Sequence, residues 1–342
     1  MEKTVTIRDV ANAAGVSLAT VSRVINNPDS VKPVRRSLVE QAIRDLGYSP
    51  NQAARVLVRR ETQTIGVIVN NLHDPFFHDL IRGFETGAQQ SSYNVIFCSV
   101  MNGDIAVKEK YIQYLNNGIV DGVVLYGSYL SDKELTRYMN YENTVRYLLI
   151  ENDLPDLQCN KLLIDNVGGA RMATQYLIDH AHTRIAHICG NLNRRVMIDR
   201  LNGFVNCMRG NGLEVQDSSI QYVMSDYGCG YSCMQKLLAM PNRPTAVFCS
   251  DDAIASYAVR AALDAGLRVP EDISIMGFDN QYILPEKYTG PEITSMEQPL
   301  FNIGFDSIQL LVNQLLTKEG FPIRKVYQTK IVEKASVCYL SE

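Results

Sequence analysis

The sequence predicts an α/β chain in two unequal parts: a small all-α head built on a helix-turn-helix, and a large body of two doubly wound α/β subdomains. Three observations lead there. The chain has 342 residues, more than one ordinary hydrophobic core organises. Residues 1–48 pattern as three short helices, each with a single apolar stripe. From Thr64 onward strand-like and helix-like runs alternate, which is the signature of a parallel sheet covered by helices, and the alternation restarts after Pro155.

The head comes first. Thr6-Ile7-Arg8-Asp9 reads as a capping box, with a hydroxyl at the cap and a carboxylate three residues on. Ile7, Val10, Ala11 and Ala14 follow at helical spacing, and Gly15 supplies a left-handed stop. Ser17 caps a second helix whose inner stripe is Val21, Val24 and Ile25. Leu18, Ala19, Thr20, Ser22 and Arg23 occupy its other faces. Small residues near the start of that helix allow close approach to base edges. Arg23 can pair bidentately with guanine, and Ser17, Thr20 and Ser22 can reach phosphates or bases. Asn26-Asn27-Pro28-Asp29 is a loop, and Pro33 opens a third helix whose core face is Val34, Leu38, Val39, Ala42, Ile43 and Leu46. A generic three-helix bundle gives the same stripes. The basic charge and the small-residue face favour a nucleic-acid reader.

Charge supports the division. Residues 1–60 carry ten Lys and Arg against five Asp and Glu, and the rest carries 23 against 32. A basic head on an acidic body points to a polyanion at one end only. Hydrophobic residues make up 46% and charged residues 20%, a globular balance. The eight cysteines are scattered, and Cys98, Cys189 and Cys249 sit in apolar runs, as reduced buried thiols do. The N-terminus lacks a signal-peptide pattern, and no apolar run reaches membrane-spanning length, so a cytoplasmic protein without membrane contact is expected.

Residues 49–62 read as a hinge. Pro50 blocks continuation of the third helix, and Asn51 can cap a short helix from Gln52 to Val58. That helix is too short to be stable in isolation. Its Leu57 and its arginines, Arg55 among them, suit an apolar wedge in a minor groove with basic residues on the phosphates; an ordinary linker helix is the alternative.

In the body, strands are expected at 64–69, 94–99, 122–125 and 145–150, then at 162–165, 185–189, 220–223, 246–249 and 274–276. Ligands of open α/β sheets sit beyond the carboxyl ends of strands. Those ends nominate 70–77, 190–200, 226–227, 250–251 and 278–279. Phe76, Phe77 and Tyr227 offer aromatic faces, while Arg200, Asp251, Asp279 and Asn280 offer hydrogen bonds. Flat rings with bidentate groups suit a polyhydroxyl ligand such as a sugar, and a purine also fits. Core packing of Phe76 and Phe77, and a structural cap or salt bridge at Asp279, are the alternatives.

TIRDVANAAGVSLATVSRVINN followed by LGYSPNQAAR resembles the DNA-binding head of the LacI/GalR family of bacterial transcriptional regulators, and the likeness continues through the body. The resemblance implies a sequence-specific regulator, expected to repress, that binds a palindromic operator in double-stranded DNA as a homodimer under control of a small-molecule effector. It implies a body of the periplasmic sugar-binding-protein fold, serving effector binding and dimerisation. Two hinge helices would enter the minor groove at the operator centre and form only on DNA, with Leu57 at the position of the inserted leucine. Arg200, three residues before Gly203-Phe204, and Asp279 in Gly277-Phe278-Asp279 match the family's ligand-binding arginine and aspartate. Phe76 and Phe77 fall at its ring-stacking positions. Ser250 stands where many sugar-responsive members carry asparagine. In the catabolite control protein A branch an Arg-Leu-Leu motif helps bind a phosphorylated carrier protein; the matching stretch here is Gln309-Leu310-Leu311, so that partner is not expected.

The DNA-contacting set is thus Thr6, Ser17, Leu18, Ala19, Thr20, Ser22, Arg23, Asn26 and Tyr48 in the head, with Asn51, Ala54, Arg55 and Leu57 in the hinge. The ligand set is Phe76, Phe77, Arg200, Tyr227, Ser250, Asp251 and Asp279. The division is 1–48 head, 49–62 hinge and 63–342 body, the first subdomain taking about 63–160 plus 293–325 and the second about 161–292 plus 326–342. No cofactor is expected. His180, His182 and His187 lack the acidic or cysteine partners of a metal site. Gly228-Cys229-Gly230 lacks the strand–glycine–helix context of a phosphate loop, and Asp251-Asp252 reads as a helix cap rather than a catalytic pair. No nucleophile has a base at recognisable spacing, which argues against an enzyme. A solute-binding protein with an incidental basic head is the competing reading, and DNA binding separates the two.

Overall fold

The computed structural model describes residues 5–49, 61–101, 104–127, 129–139, 145–155, 157–223, 229–281, 288–317 and 322–340. Two compact units, Met1–Thr62 and Gln63–Glu342, divide the chain. The hinge helix expected at 52–58, with Asn51, Ala54, Arg55 and Leu57, lies outside the described residues, as does Tyr227.

The head holds α1 (Ile7–Ala13), α2 (Leu18–Asn26) and α3 (Pro33–Leu46). The Asp9 carboxylate accepts from the Thr6 amide at 2.8 Å and the Thr6 hydroxyl at 2.7 Å, occupying donors that α1 cannot satisfy itself. Gly15 sits at φ +63°, where a side chain would be strained, and turns the chain so that the Val16 amide reaches the Ala11 carbonyl at 3.1 Å. The Ser17 hydroxyl caps α2 by accepting from the Thr20 amide at 3.2 Å. Val10, Ala11, Ala14, Val21, Val24, Val39 and Ala42 close the core. The expected apolar face of α3 is corrected here. Val39 and Ala42 are buried and Ile43 packs against them, but Val34 is 74% exposed, Leu38 51% and Leu46 36%. Two short helices cover only a narrow stripe of α3, so apolar residues beyond that stripe face solvent.

The body is two six-stranded sheets. The first runs in the order β11-β5-β4-β3-β1-β2, with β1 (Thr64–Val69), β2 (Asn94–Ser99), β3 (Gly122–Tyr126), β4 (Arg146–Ile150), β5 (Asn160–Ile164) and β11 (Arg324–Tyr327). The second runs β12-β10-β9-β8-β6-β7, with β6 (Ile185–Cys189), β7 (Ile220–Tyr222), β8 (Ala246–Cys249), β9 (Ser274–Asp279), β10 (Thr294–Glu297) and β12 (Lys330–Val332). Every described pairing is parallel except β10 with β12. Each sheet is covered on both faces, so its strands are nearly all apolar.

Strand alternation sorts the first core. Ile65, Val67 and Val69 face α4 (His78–Ser91) and α11 (Leu300–Thr317), which contribute Leu80, Phe84, Ile303, Ile308 and Leu311. Ile68, Val123 and Leu125 point the other way, onto Ile112 and Leu115 of α5 (Ile105–Leu115). A short α6 (Thr136–Met139) follows. Helices α4 and α11 meet at Gly83 and Gly304, where a Cβ on either would overlap backbone atoms of the facing helix. In the second sheet, Ala246, Phe248, Met276 and Phe278 pack on α7 (Asn166–Asp179) and α8 (Arg195–Gly210). Ile188, Val247 and Ile275 pack with α9 (Cys229–Leu238) and α10 (Asp252–Asp264).

The subdomain limits differ from those expected. β5 pairs with β4 in register Leu148↔Asn160 and so belongs to the first sheet. β10 pairs with β9 in the second, and β11 returns to β5 in the first. Pro155 therefore marks an irregular loop within the first subdomain rather than its boundary. The chain passes between the sheets at residue 165, at 298–299 and at 328–329.

Candidate functional site

On the head, Thr6, Ser17, Leu18, Ala19 and Arg23 are exposed. Thr20, Ser22, Asn26 and Tyr48 are half-buried, Tyr48 against the head core. Three of the hydroxyls already have local work: Ser17 Oγ lies 2.9 Å from Thr20 Oγ1, and Ser22 Oγ accepts from Asn26 Nδ2 at 3.3 Å. Leu18, Ala19 and Arg23 remain on the open face of α2, so a base edge can be met by an apolar contact and a guanidinium together.

The body's candidate site lies at the carboxyl ends of its strands. A cavity of about 140 Å³ is lined from the first sheet by Asn70, Asn71, Asp74, Phe76, Phe77, Tyr126 and Tyr129. From the second it is lined by Arg194, Val196, Arg200, Asp251, Asp279 and Gln281. Phe77 is buried in the core as well as bordering the cavity, and stands edge-on to Phe76 at 5.1 Å and Tyr126 at 5.0 Å. Phe76, half-buried, offers the more open ring.

Arg200 organises the second wall. Its Nη2 pairs with Asp279 Oδ1 at 3.0 Å, Nη1 donates to the Ser250 carbonyl at 2.5 Å, and Nε donates to Asn166 Oδ1 at 2.9 Å. Its guanidinium lies 3.7 Å from the centre of the Phe278 ring. Asp279 also accepts from Gln298 Nε2 at 2.5 Å. Asp251 caps α10 through the Ile254 amide at 2.8 Å. Burial, then the neighbouring Asp279, pushes its carboxyl up to about 6. Ser250 is placed elsewhere than expected: its hydroxyl is fully buried, 3.3 Å from His187 Nε2, and does not line the cavity. Only its backbone reaches the site, through Arg200. His187 is held neutral by burial, which lowers its imidazole to about 3. Among the described residues no cluster of three or more metal-ligating side chains occurs.

Several lining residues were not foreseen. Tyr126 ends β3, and the rule that nominated the other strand ends would have found it. Tyr129 and Gln281 lie in loops without a sequence signal. Glu151 follows β4 at φ +59° and is buried. It accepts from the Ile164 amide at 2.7 Å and from Asn166 Nδ2 at 3.0 Å, and burial pushes its carboxyl up to about 7. It borders a second cavity of about 390 Å³, together with Asp153, Asn166, Arg195, Asp199 and Arg324. Between the two cavities the backbones of Tyr129 and Arg194 form a β-bridge from one subdomain to the other.

A carboxyl raised in the folded state holds its proton more tightly there than in the unfolded chain. Folding is then favoured at low pH, and the contribution of Glu151 is lost as pH rises from its ordinary 4.5 to about 7. Glu151→Gln is therefore expected to gain stability relative to the parent by about 2–3 kcal/mol between pH 5 and pH 7.5. Urea denaturation at both pH values checks this; a difference that does not change with pH contradicts it.

A helix-turn-helix on a small head, with a two-sheet body whose strand ends line a polar, ring-bordered cavity, is the architecture of a DNA-binding transcriptional regulator. Comparison with known proteins agrees. A family model described as "Bacterial regulatory proteins, lacI family" matches residues 6–51, and one described as "Periplasmic binding protein-like domain" matches residues 174–337. The HTH-type transcriptional repressor CytR of Escherichia coli (strain K12) is 37% identical over 92% of this chain and 91% of its own. A structure of the transcriptional regulator CelR in complex with cellobiose shares 31% identity and a TM-score of 0.72, over 97% of this chain and 99% of that one. The Lac repressor dimer bound to operator and the anti-inducer ONPF has a TM-score of 0.87 at 24% identity, over 98% of this chain and 100% of that one, a likeness of fold. The chain belongs to the LacI family of bacterial regulatory proteins. Its relatives are transcriptional repressors rather than enzymes. Among the described residues no helix is long and apolar enough to cross a membrane.

Proposed function

We propose that this protein is a repressor that binds a palindromic operator as a homodimer and loosens or tightens its grip when an uncharged polyhydroxylated compound, a sugar in the first instance, enters the cleft between its subdomains. The Arg200–Asp279 pair beside Phe76 and Tyr126 carries the effector reading: a bidentate cation and anion together match adjacent hydroxyls, and the rings match the apolar face of a pyranose or a base. Two-fold symmetry of the protein requires two-fold symmetry of its site, hence the palindrome. The hinge at 49–62 connects cleft to DNA, with Arg55 on phosphates and Leu57 in the minor groove.

Selection from a random duplex library with purified protein, with and without a panel of sugars, nucleosides and nucleobases, tests this. A palindrome should be enriched, and one compound should change its recovery. Failure of a folded protein to enrich any sequence at low salt would overturn the regulator reading in favour of a solute-binding protein.

A further inference from the structure

The ligand-facing pair Arg200–Asp279 does not stand alone. Arg200 Nε donates to Asn166 Oδ1 at 2.9 Å, and Asn166 Nδ2 in turn donates to Glu151 Oε2 at 3.0 Å. Asn166 is the first residue of α7, next to the passage between sheets at residue 165. At the other end Asp279 accepts from Gln298 Nε2 at 2.5 Å, and Gln298 lies in the passage at 298–299. A single line of side-chain hydrogen bonds thus runs Glu151–Asn166–Arg200–Asp279–Gln298. It starts in the first subdomain, crosses the second, and ends on another connection between them.

Each link has its direction fixed. Arg200 can only donate, so the Asn166 oxygen faces it and the Asn166 amide nitrogen faces Glu151. Asp279 can only accept, so the Gln298 nitrogen faces it, which turns Gln298 Oε1 into a buried position where it has no partner. A buried acceptor without a donor is costly. The strength of the Gln298 contact to Asp279 sets that orientation against the cost. Asp279 itself is at φ +101° and Asn280 at φ +48°, so the strand end that presents the carboxylate is held in a conformation side chains rarely adopt.

We infer that Asn166 and Gln298 are positioning residues of the effector site: they fasten the Arg200–Asp279 pair at its two ends to two of the connections between the subdomains, so that whatever engages the pair acts on both connections at once. This rests on the regulator reading above. Neither residue lines the 140 Å³ cavity; they act through Arg200 and Asp279. Packed and hydrogen-bonded elements with two discrete arrangements transmit a change, whereas two independent anchors would each respond alone.

A double-mutant cycle separates the two cases. Full-length parent, Asn166→Ala, Gln298→Met and the double variant are compared by operator affinity without added effector, using the duplex recovered by selection. Thermal melts of the same four proteins provide a second cycle that needs no DNA. One continuous line predicts that each single change shifts operator affinity about tenfold in the same direction and that the double variant shifts it no further. Melting-temperature losses should be non-additive in the same way. Additive effects in both cycles, or singles of opposite sign on the operator, would overturn the inference. A parent that binds no duplex would defeat the regulator reading instead, and the melting cycle would still decide the line. If Gln298→Met fails to fold, Gln298→Glu in its place should act like a cut at neutral pH, where it sets a carboxylate against Asp279.

Discussion

Lys108→Ala should lose about 3–5 kcal/mol of folding stability. Lys108 and Asp132 are both fully inaccessible and their Nζ and Oδ1 atoms lie 2.6 Å apart. Burial lowers the lysine and raises the aspartate from their ordinary values, with the mutual attraction opposing it in each. Asp132 is further supported: its Oδ2 accepts from the Tyr129 amide at 3.2 Å and Asn152 Nδ2 at 3.3 Å, while Lys108 Nζ lies 5.0 Å from the Tyr129 ring centre. Removing the cation leaves a carboxylate with no water to turn to, so the loss exceeds the worth of the pair itself. Lys108→Met with Asp132→Leu should recover most of it, because replacing both partners by apolar groups removes the stranded charge. Chemical denaturation of the three proteins measures this. A single variant within 1 kcal/mol of the parent, a bound of roughly surface-pair size, would contradict the argument.

Arg200→Lys should abolish response to the effector while the protein still folds, and its operator affinity should shift about as far as that of Asn166→Ala, because the same line is cut. The guanidinium reaches Asp279, the Ser250 carbonyl and Asn166 in three directions and lies flat on Phe278. An ammonium keeps the charge but reproduces neither the fork nor the stack, so this is not a conservative change. Loss of a buried charged hydrogen bond to ligand costs about 2–5 kcal/mol, a weakening of some 30-fold or more in effector affinity. Titration calorimetry with the compound that alters recovery in the selection, beside operator binding by anisotropy, gives both numbers. Unchanged effector affinity in Arg200→Lys would remove Arg200 from the site.

Much of this molecule is legible in its sequence, for identifiable reasons. β2, β6 and β8 fall at the bounds that their short apolar runs between turn signals imply, and Ser17 and Gly15 mark the start of α2 and the end of α1 through cap chemistry that is local in sequence. Arg200 and Asp279 were legible through their neighbours in Gly203-Phe204 and Gly277-Phe278. What failed were properties set by distant residues. The periodicity of residues 160–164 reports a strand but not which sheet it joins; β4 decides that. The stripe on α3 reports amphipathicity but not how much of it two short helices can cover. Nothing local to Lys108 marks it for burial; its partner Asp132 lies 24 residues away, in the next loop. Glu151 and Gln298 lie outside the regular elements, and their partners come from other segments of the chain. Gln309, at the position of the absent Arg-Leu-Leu arginine, donates to the Gly87 carbonyl at 3.1 Å and Ser91 Oγ at 2.9 Å. It serves the packing of α11 on α4.

The β-bridge between Tyr129 and Arg194 joins subdomains that, among the described residues, the chain itself connects at residue 165, at 298–299 and at 328–329. Loop 129–132 is tied from behind by Lys108–Asp132 and by the Tyr129 amide on Asp132 Oδ2, which resists peeling of the loop, so the expected opening is a movement of one whole subdomain. A solute too large to pass beside the bridge then waits for that movement. Its observed rate of entry should level off at the opening rate as concentration rises, where entry to an open site would keep climbing in proportion to concentration. Its rate of escape should be limited by the same step. On the proposed reading, a regulator so built would answer to the duration of a metabolic change as well as to its size, passing over pulses shorter than the time its cleft takes to open.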